Sequence, residues 1–367
     1  MMHGISWLAA GALIWNLAAQ SADVFSGPVP PLPKPTGRVV DVSTVEDLYR
    51  AVKGLQEDDT VMLADGTYQL TRSIWITGKN KFAIRGASGD PAKVILRGHG
   101  WDSDVENDII LQIHACEHVT IADMTFTEAH HFGVHVVGNG KPKDVNIYHC
   151  IFRDIGVRHL KGSAGGSASS VSAKGSVRFC HFENTKIPPD EPKERWLFGG
   201  NYVTAIDMMV LEDWTISDNV FKNLKGRTGE ARAAIFLWHN SHRVTIERNW
   251  IMDCDRGIGI GNPSIDDANK TKGILHAYDI VCRNNVILPG PDSGIEIAWA
   301  KNVKIYNNTI WRKDPEGRGI RPIMQLESVE AVNNLVRGSI EAQKGFAERS
   351  NYIGRMEGYF RDTGVAD

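Results

Sequence analysis

Val244-Thr-Ile-Glu-Arg-Asn-Trp-Ile251 carries apolar residues two apart, an asparagine at its sixth place and an apolar residue at its eighth. Four more stretches follow the same grammar: Trp214-Thr-Ile-Ser-Asp-Asn-Val-Phe221, Ile280-Val-Cys-Arg-Asn-Asn-Val-Ile287, Val303-Lys-Ile-Tyr-Asn-Asn-Thr-Ile310 and Val329-Glu-Ala-Val-Asn-Asn-Leu-Val336. Three earlier stretches keep the apolar places without that asparagine: Val119–Phe126, Val145–Phe152 and Val177–Phe182. The starts fall at 119, 145, 177, 214, 244, 280, 303 and 329. A constant motif at variable spacing means a constant coil carrying loops of different length. Each copy reads as two short alternating strands meeting at a corner. Asparagine suits such a corner, because it tolerates left-handed backbone and its amide can bond the next rung.

A third alternating strand precedes most copies: Gly133-Val-His-Val-Val137, Ala205-Ile-Asp-Met-Met209, Ala234-Ile-Phe-Leu-Trp238, Gly257-Ile-Gly-Ile-Gly261 and Gly294-Ile-Glu-Ile-Ala298. Three short strands per coil are the unit of a parallel β-helix. Separate βαβ units are excluded, because the ~10–15-residue helical patterns between strands are missing. One helix is expected over Thr44–Gln56, with Val45, Leu48, Val52 and Leu55 on one face and Thr44 as N-cap. An open stack needs its end covered, so this helix reads as the N-terminal cap. The expected fold is all-β, a single-stranded right-handed parallel β-helix with an N-terminal capping α-helix.

The composition agrees. Glycine makes up 36 of 367 residues, above the usual ~7%, as many tight turns require. Hydrophobic residues are 42% and charged residues 23%, with a net charge of −3. That fits a folded chain and excludes a strongly basic nucleic-acid binder. Cys116, Cys150, Cys180, Cys254 and Cys282 contain no Cys-x-x-Cys pair. Buried thiols are expected rather than a zinc knuckle, with a single disulfide left open.

The apolar run Ile5 to Ala19 is too short for a ~20-residue membrane span. With Ala19-Gln20-Ser21 as a small-x-small site it reads as a signal peptide over residues 1–22, although no Lys or Arg precedes it. A proline-rich leader (23–38), the β-helix domain (39–340) and a C-terminal cap or tail (341–367) follow. A secreted or periplasmic monomer without a membrane span is expected.

The chain resembles the right-handed parallel β-helix proteins of the pectate-lyase-like superfamily from about Val39 to Ile340. The resemblance rests on the cap, on Asp65-Gly-Thr-Tyr68, on Ile84-Arg-Gly-Ala-Ser-Gly-Asp90 and on the corner repeats. It implies that a polysaccharide lies across the strand preceding each corner motif, and that a uronate carboxylate is neutralised by calcium or by basic side chains.

Alternation assigns the groove residues. Val134, Val136, Ile206, Met208, Ile235 and Leu237 point inward. His135, Asp207, Phe236, Gly259 and Glu296 point outward. On Val157-Arg-His-Leu-Lys161, an inward Leu160 turns His159 and Lys161 outward and Arg158 inward. His135, His159 or Lys161, and Asp207 then form a column with ~4.8 Å between rungs. Trp238, His239, Arg256 and Trp299 edge this face, and Glu296 lies on it. The glycines of Arg256-Gly-Ile-Gly-Ile-Gly261 leave room above the strand. Trp196, in the loop from Lys186 to Tyr202, is placed to stack on a sugar.

These residue types suit β-elimination on a uronate-containing anionic polysaccharide. The C5 proton lies α to a carboxylate, so catalysis needs that charge neutralised and a base. Lys161 or His135 is the candidate base. Arg158, His159 and His239 are candidates to face the carboxylate. Asp207 would orient a histidine or help bind Ca²⁺; no other cofactor is expected. A uronate epimerase shares the proton abstraction. A glycoside hydrolase needs two carboxyls ~5–9.5 Å apart, and Asp207 and Glu296 lie about three rungs apart. A non-catalytic carbohydrate-binding or adhesive β-helix predicts aromatic platforms without perturbed titratable groups.

Overall fold

The computed structural model describes residues 29–164, 171–264 and 275–354. The expected signal peptide and the start of the leader lie outside the described residues. Each coil runs through three strands in a fixed order. First strands include Phe132–Val137, Arg158–Ser163, Thr204–Met209 and Ala233–Trp238. Second strands include Lys143–Tyr148, Ser172–Arg178 and Leu211–Ser217. Third strands include Ile151–Ile155, His181–Glu183 and Val220–Lys222. Every strand pairs in parallel with its counterpart one coil away. The third strands alone form an eleven-stranded sheet among the described residues, from Gly66–Gln69 to Tyr352–Ile353. The fold is the all-β parallel β-helix that the repeats imply.

In-register stacking puts like residues on like. Phe126, Phe152, Phe182 and Phe221 form a column of parallel rings with centroids 4.9, 4.8 and 4.9 Å apart. Between second and third strands runs an amide column, buried from Asn219 through Asn249, Asn285 and Asn308 to Asn334 and ending at the half-buried Asn351. From Asn249 upward, each Oδ1 accepts from both the Nδ2 and the backbone N–H of the asparagine below, at 2.9–3.1 Å. Each Nδ2 also caps a carbonyl on the coil below, as Asn249 does for Ile216 at 3.0 Å and Asn351 for Ala331 at 3.0 Å. Cys180 and Cys150 continue the column below Asn219. The corner works differently from the expectation of left-handed asparagines. The left-handed residue is the one before each: Asp218, Arg248, Asn284, Asn307 and Asn333. The stacked asparagine stays free to point inward and bond. All five cysteines are buried thiols.

The cap helix spans Val45–Lys53, with the Thr44 hydroxyl accepting from the Asp47 N–H at 3.1 Å and Leu48 and Val52 buried. It stops short of Gln56 because Gly54 ends it. The leader is docked where described: Arg85 Nη1 donates to Pro33 O at 2.7 Å and the Tyr148 hydroxyl to Pro30 O at 2.5 Å. The stack also continues past Ile340, where a cap or tail was expected. Phe346–Arg349 pairs with Val329–Val332, and Tyr352–Ile353 with Leu335–Val336. The apolar alternation is weak there because, among the described residues, this last coil is covered on one side only.

Asn285→Ala removes the acceptor for two buried donors of Asn249 and deletes a donor. At ~1–3 kcal/mol per unsatisfied buried group, a loss of about 2–4 kcal/mol is expected in urea denaturation. Asn80→Ala, at an exposed site, serves as the control and stays within about 0.5 kcal/mol.

Candidate functional site

The first strands bend. Their ladder passes from Phe132–Arg158 to Val134–Leu160 and on to His135–Lys161, leaving Gly133 and His159 unpaired. At this bend two consecutive residues face the core. The inner bend position is Gly133, Ala205, Ala234, Gly257, Gly294 or Gly319 on most coils. A Cβ on Gly257 would stand 2.3 Å from the Gly294 carbonyl and 2.7 Å from Ile287 Cγ2. These glycines serve close packing, whereas open space for substrate was expected at Gly257. His159 is the exception in size. It is fully buried, lies parallel to Phe152 and Phe182, and holds Nε2 2.9 Å from Asn184 Oδ1. His159 is therefore not in the groove. Arg158, which strict alternation turns inward, faces outward instead.

The outward column reads Trp75, Gln112, His135, Lys161, Asp207, Phe236, Gly259, Glu296, Arg321 by register. Its centre is an ion-pair cluster. Asp207 is fully buried, accepting from Arg158 Nε at 2.7 Å and Trp238 Nε1 at 2.9 Å, with Lys161 Nζ at 3.0 Å. Burial alone would raise the Asp207 carboxyl, but Lys161 and Arg158 with the Trp238 hydrogen bond hold it at about 2. Burial, only partly offset by Asp207, brings the Lys161 ammonium down to about 8. Burial, reinforced by the Lys161 charge, drops His135 to about 3; its Nε2 lies 3.0 Å from Ser163 Oγ. His135 is neutral at physiological pH.

Asp207 does not fit a calcium ligand. Two cations and an indole N–H occupy its oxygens, so a divalent ion would meet the charges of Arg158 and Lys161.

Several expected contact residues have other occupations. Trp196 is buried, with Nε1 donating to Asp102 Oδ1 at 2.9 Å and its ring against Trp101 and His130. Its loop folds back onto the 100–104 loop, so Trp196 is no sugar platform. Glu296 is buried between Arg256 at 2.7 Å and Arg321 at 2.8 Å, and Arg256 also binds Asp292 at 2.8 Å. This cluster is closed on itself. The space over Gly259 is filled by the Phe236 ring, 2.9 Å from where a Cβ would sit. Trp238 is half-buried and packs on Phe236 and His239. The His239 backbone N–H donates to His276 Nδ1 at 3.2 Å. Trp299, half-buried, donates from Nε1 to Pro263 O at 3.2 Å. Residues 165–170 and 265–274 lie outside the described residues.

Sequence reasoning missed Tyr202 and Arg232. The Arg158 guanidinium lies 4.0 Å over the Tyr202 ring, and that of Arg232 5.2 Å from it. Both precede the strands they serve, where alternation assigns nothing. His131, brought down to about 4 by burial and by Arg158, was also missed. Trp75, 51% exposed at one end of the column, belongs to a coil without the corner motif.

A family model described as "Right handed beta helix region" matches residues 108–336. No curated protein matches the sequence at a significant level. Among solved structures, an alginate lyase from Paenibacillus sp. str. FPU-7 superposes with a TM-score of 0.56 at 14% identity, covering 86% of this chain and 95% of its own. The pectate lyase Pel9A superposes at 0.58 and 11% identity, over 86% and 80%. At such identities the likeness shows the fold.

The buried histidines give a pH signature. The folded pKa of His131 and His159 is about 4 and of His135 about 3, below the unfolded ~6.5. The unfolded chain therefore binds more protons as pH falls, and stability present above ~6.5 is lost towards 4. Thermal midpoints should fall across this window, and His159→Phe should flatten the slope without changing the fold.

Proposed function

This chain belongs to the right-handed β-helix family, and from that premise we propose that its groove cleaves a uronate-containing polysaccharide by β-elimination, with Lys161 as the base. The observation that carries the reading is a lysine brought to about 8 by burial on the outward groove column, 3.0 Å from a carboxylate that positions it. An unprotonated amine of that basicity suits removal of a proton α to a carboxylate. The C5–H electron pair forms the C4–C5 double bond as the C4–O bond breaks. Lys161 takes the C5 proton and the leaving oxygen takes one from solvent. Asp207 and Arg158 hold the amine in place, and neutral His135 lines the next rung without adding charge. Neutralisation of the substrate carboxylate falls to side chains rather than to calcium. The alginate and pectate lyases of similar fold are consistent with this reaction class. The arrangement supports hydrolysis poorly, since Asp207 and Glu296 are both locked between arginines or lysine. An export route to an extracellular substrate fits the same reading.

Lys161→Ala is expected to lower turnover at least ~10²-fold. Lys161→Arg should do the same, because it keeps the charge beside Asp207 but cannot deprotonate. His135→Ala should also lose turnover. Wild-type rates in Lys161→Ala and His135→Ala sink the site. The readout is ultraviolet absorbance of an unsaturated product on pectate, alginate, glucuronan and glycosaminoglycans. New reducing ends without that absorbance mean hydrolysis instead.

Below pH ~8 the rate should rise about tenfold per pH unit and level above it, as the neutral amine is the reactive form. Activity should persist in a chelator. A rate independent of pH between 6 and 8 argues against Lys161 as base.

A further inference from the structure

We infer that Phe198, Tyr202 and Arg232 form a subsite for one acidic sugar residue beside the Lys161 column. The inference deepens the uronate reading and rests on it for the ligand class. Phe198 is 67% exposed although it is a large apolar ring. It sits in the turn Leu197–Gly200, where Phe198 and Gly199 both have left-handed backbone, at φ 52° and 60°. A bulky residue held there away from a coil corner is costly, and such strain gathers at ligand sites. The turn thereby presents the ring outward. Phe198 stacks on Tyr202 at 5.1 Å, and the Arg232 guanidinium lies 4.9 Å from the Phe198 ring centre.

Arg232 differs from its neighbour Arg158. Both contact the Tyr202 ring, but Arg158 is bound to Asp207 at 2.7 Å. Among the described residues, no carboxylate lies within ion-pair distance of Arg232. It is a half-buried cation with its planar fork unspent, set against an exposed aromatic face. That combination fits a pyranose ring whose C–H face lies on Phe198 while its carboxylate takes the guanidinium. Tyr202 links the subsite to the column through Arg158, so a sugar bound there adjoins the residue presented to Lys161.

The test is calorimetric titration of Lys161→Arg protein with oligogalacturonate, oligoalginate, oligoglucuronan and chondroitin oligosaccharides, each beside its carboxyl-reduced form. At least one acidic probe should bind about tenfold more tightly than its reduced form. Adding Arg232→Met should cost about tenfold and erase that preference, and Arg232→Lys should recover part of it. Phe198→Ala, at an exposed site, should weaken the acidic and reduced forms alike. Unchanged affinity in Arg232→Met, equal binding of acidic and reduced forms, or no binding of any acidic probe overturns the subsite. If Arg232→Met shifts the thermal midpoint, loss of the preference on adding salt to the Lys161→Arg protein decides in its place. Carboxylate-selective, Arg232-dependent binding without an unsaturated product from wild type upholds the subsite and removes the lyase reading. Product formation with an unchanged KM in Arg232→Met does the reverse.

Discussion

Every coil must repeat its neighbour at one rung spacing, ~4.8 Å. That constraint decides which side chains each position can hold. An aromatic ring tolerates another ring at this distance, and an amide satisfies another amide, so phenylalanines and asparagines run in columns through the interior. Charges cannot be stacked in the same way. A lysine directly over a lysine would cost energy in a site withdrawn from water.

The groove answers the constraint by alternation along the column. Lys161 has neutral His135 on one side and Asp207 on the other. Glu296 has Gly259 on one side and Arg321 on the other. In each cluster the carboxylate is the most buried member and the cations surround it. The two clusters differ in their surplus. Around Glu296 and Asp292 the charges of Arg256 and Arg321 close on themselves. Around Asp207 two cations share one carboxylate, and Arg232 adds a third close by. The positive surplus is therefore concentrated at the Lys161 end of the column, the end on which the proposed function rests.

Strand alternation carried the groove assignment where strands are straight. His135, Lys161, Asp207, Phe236 and Glu296 all lie on one outward column, the geometry that period two implies. The same rule exchanges Arg158 and His159, because the first strands bend between residues 158 and 160. The sign of that bend was present in the sequence as small residues at one recurring place: Gly133, Ala205, Ala234, Gly257 and Gly294. His159 at that place disguised it. Trp196 was misplaced for a different reason. A loop residue has no periodicity to orient it, and only the meeting of two distant loops buries its ring.

By itself the sequence determined the coil. Apolar alternation, a corner asparagine and a capping helix are local signals, and each coil meets nearly the same neighbours whatever its loops do. It also determined which charged residues share the outward column, since that follows from counting along strands. Tertiary structure alone decided what those charges do. The pairing of Arg158 with Asp207 across 49 residues, the burial that softens Lys161, and the unspent guanidinium of Arg232 depend on bends and loop returns. Ionisation and ion pairing are set by distance and desolvation in three dimensions, which strand periodicity does not encode.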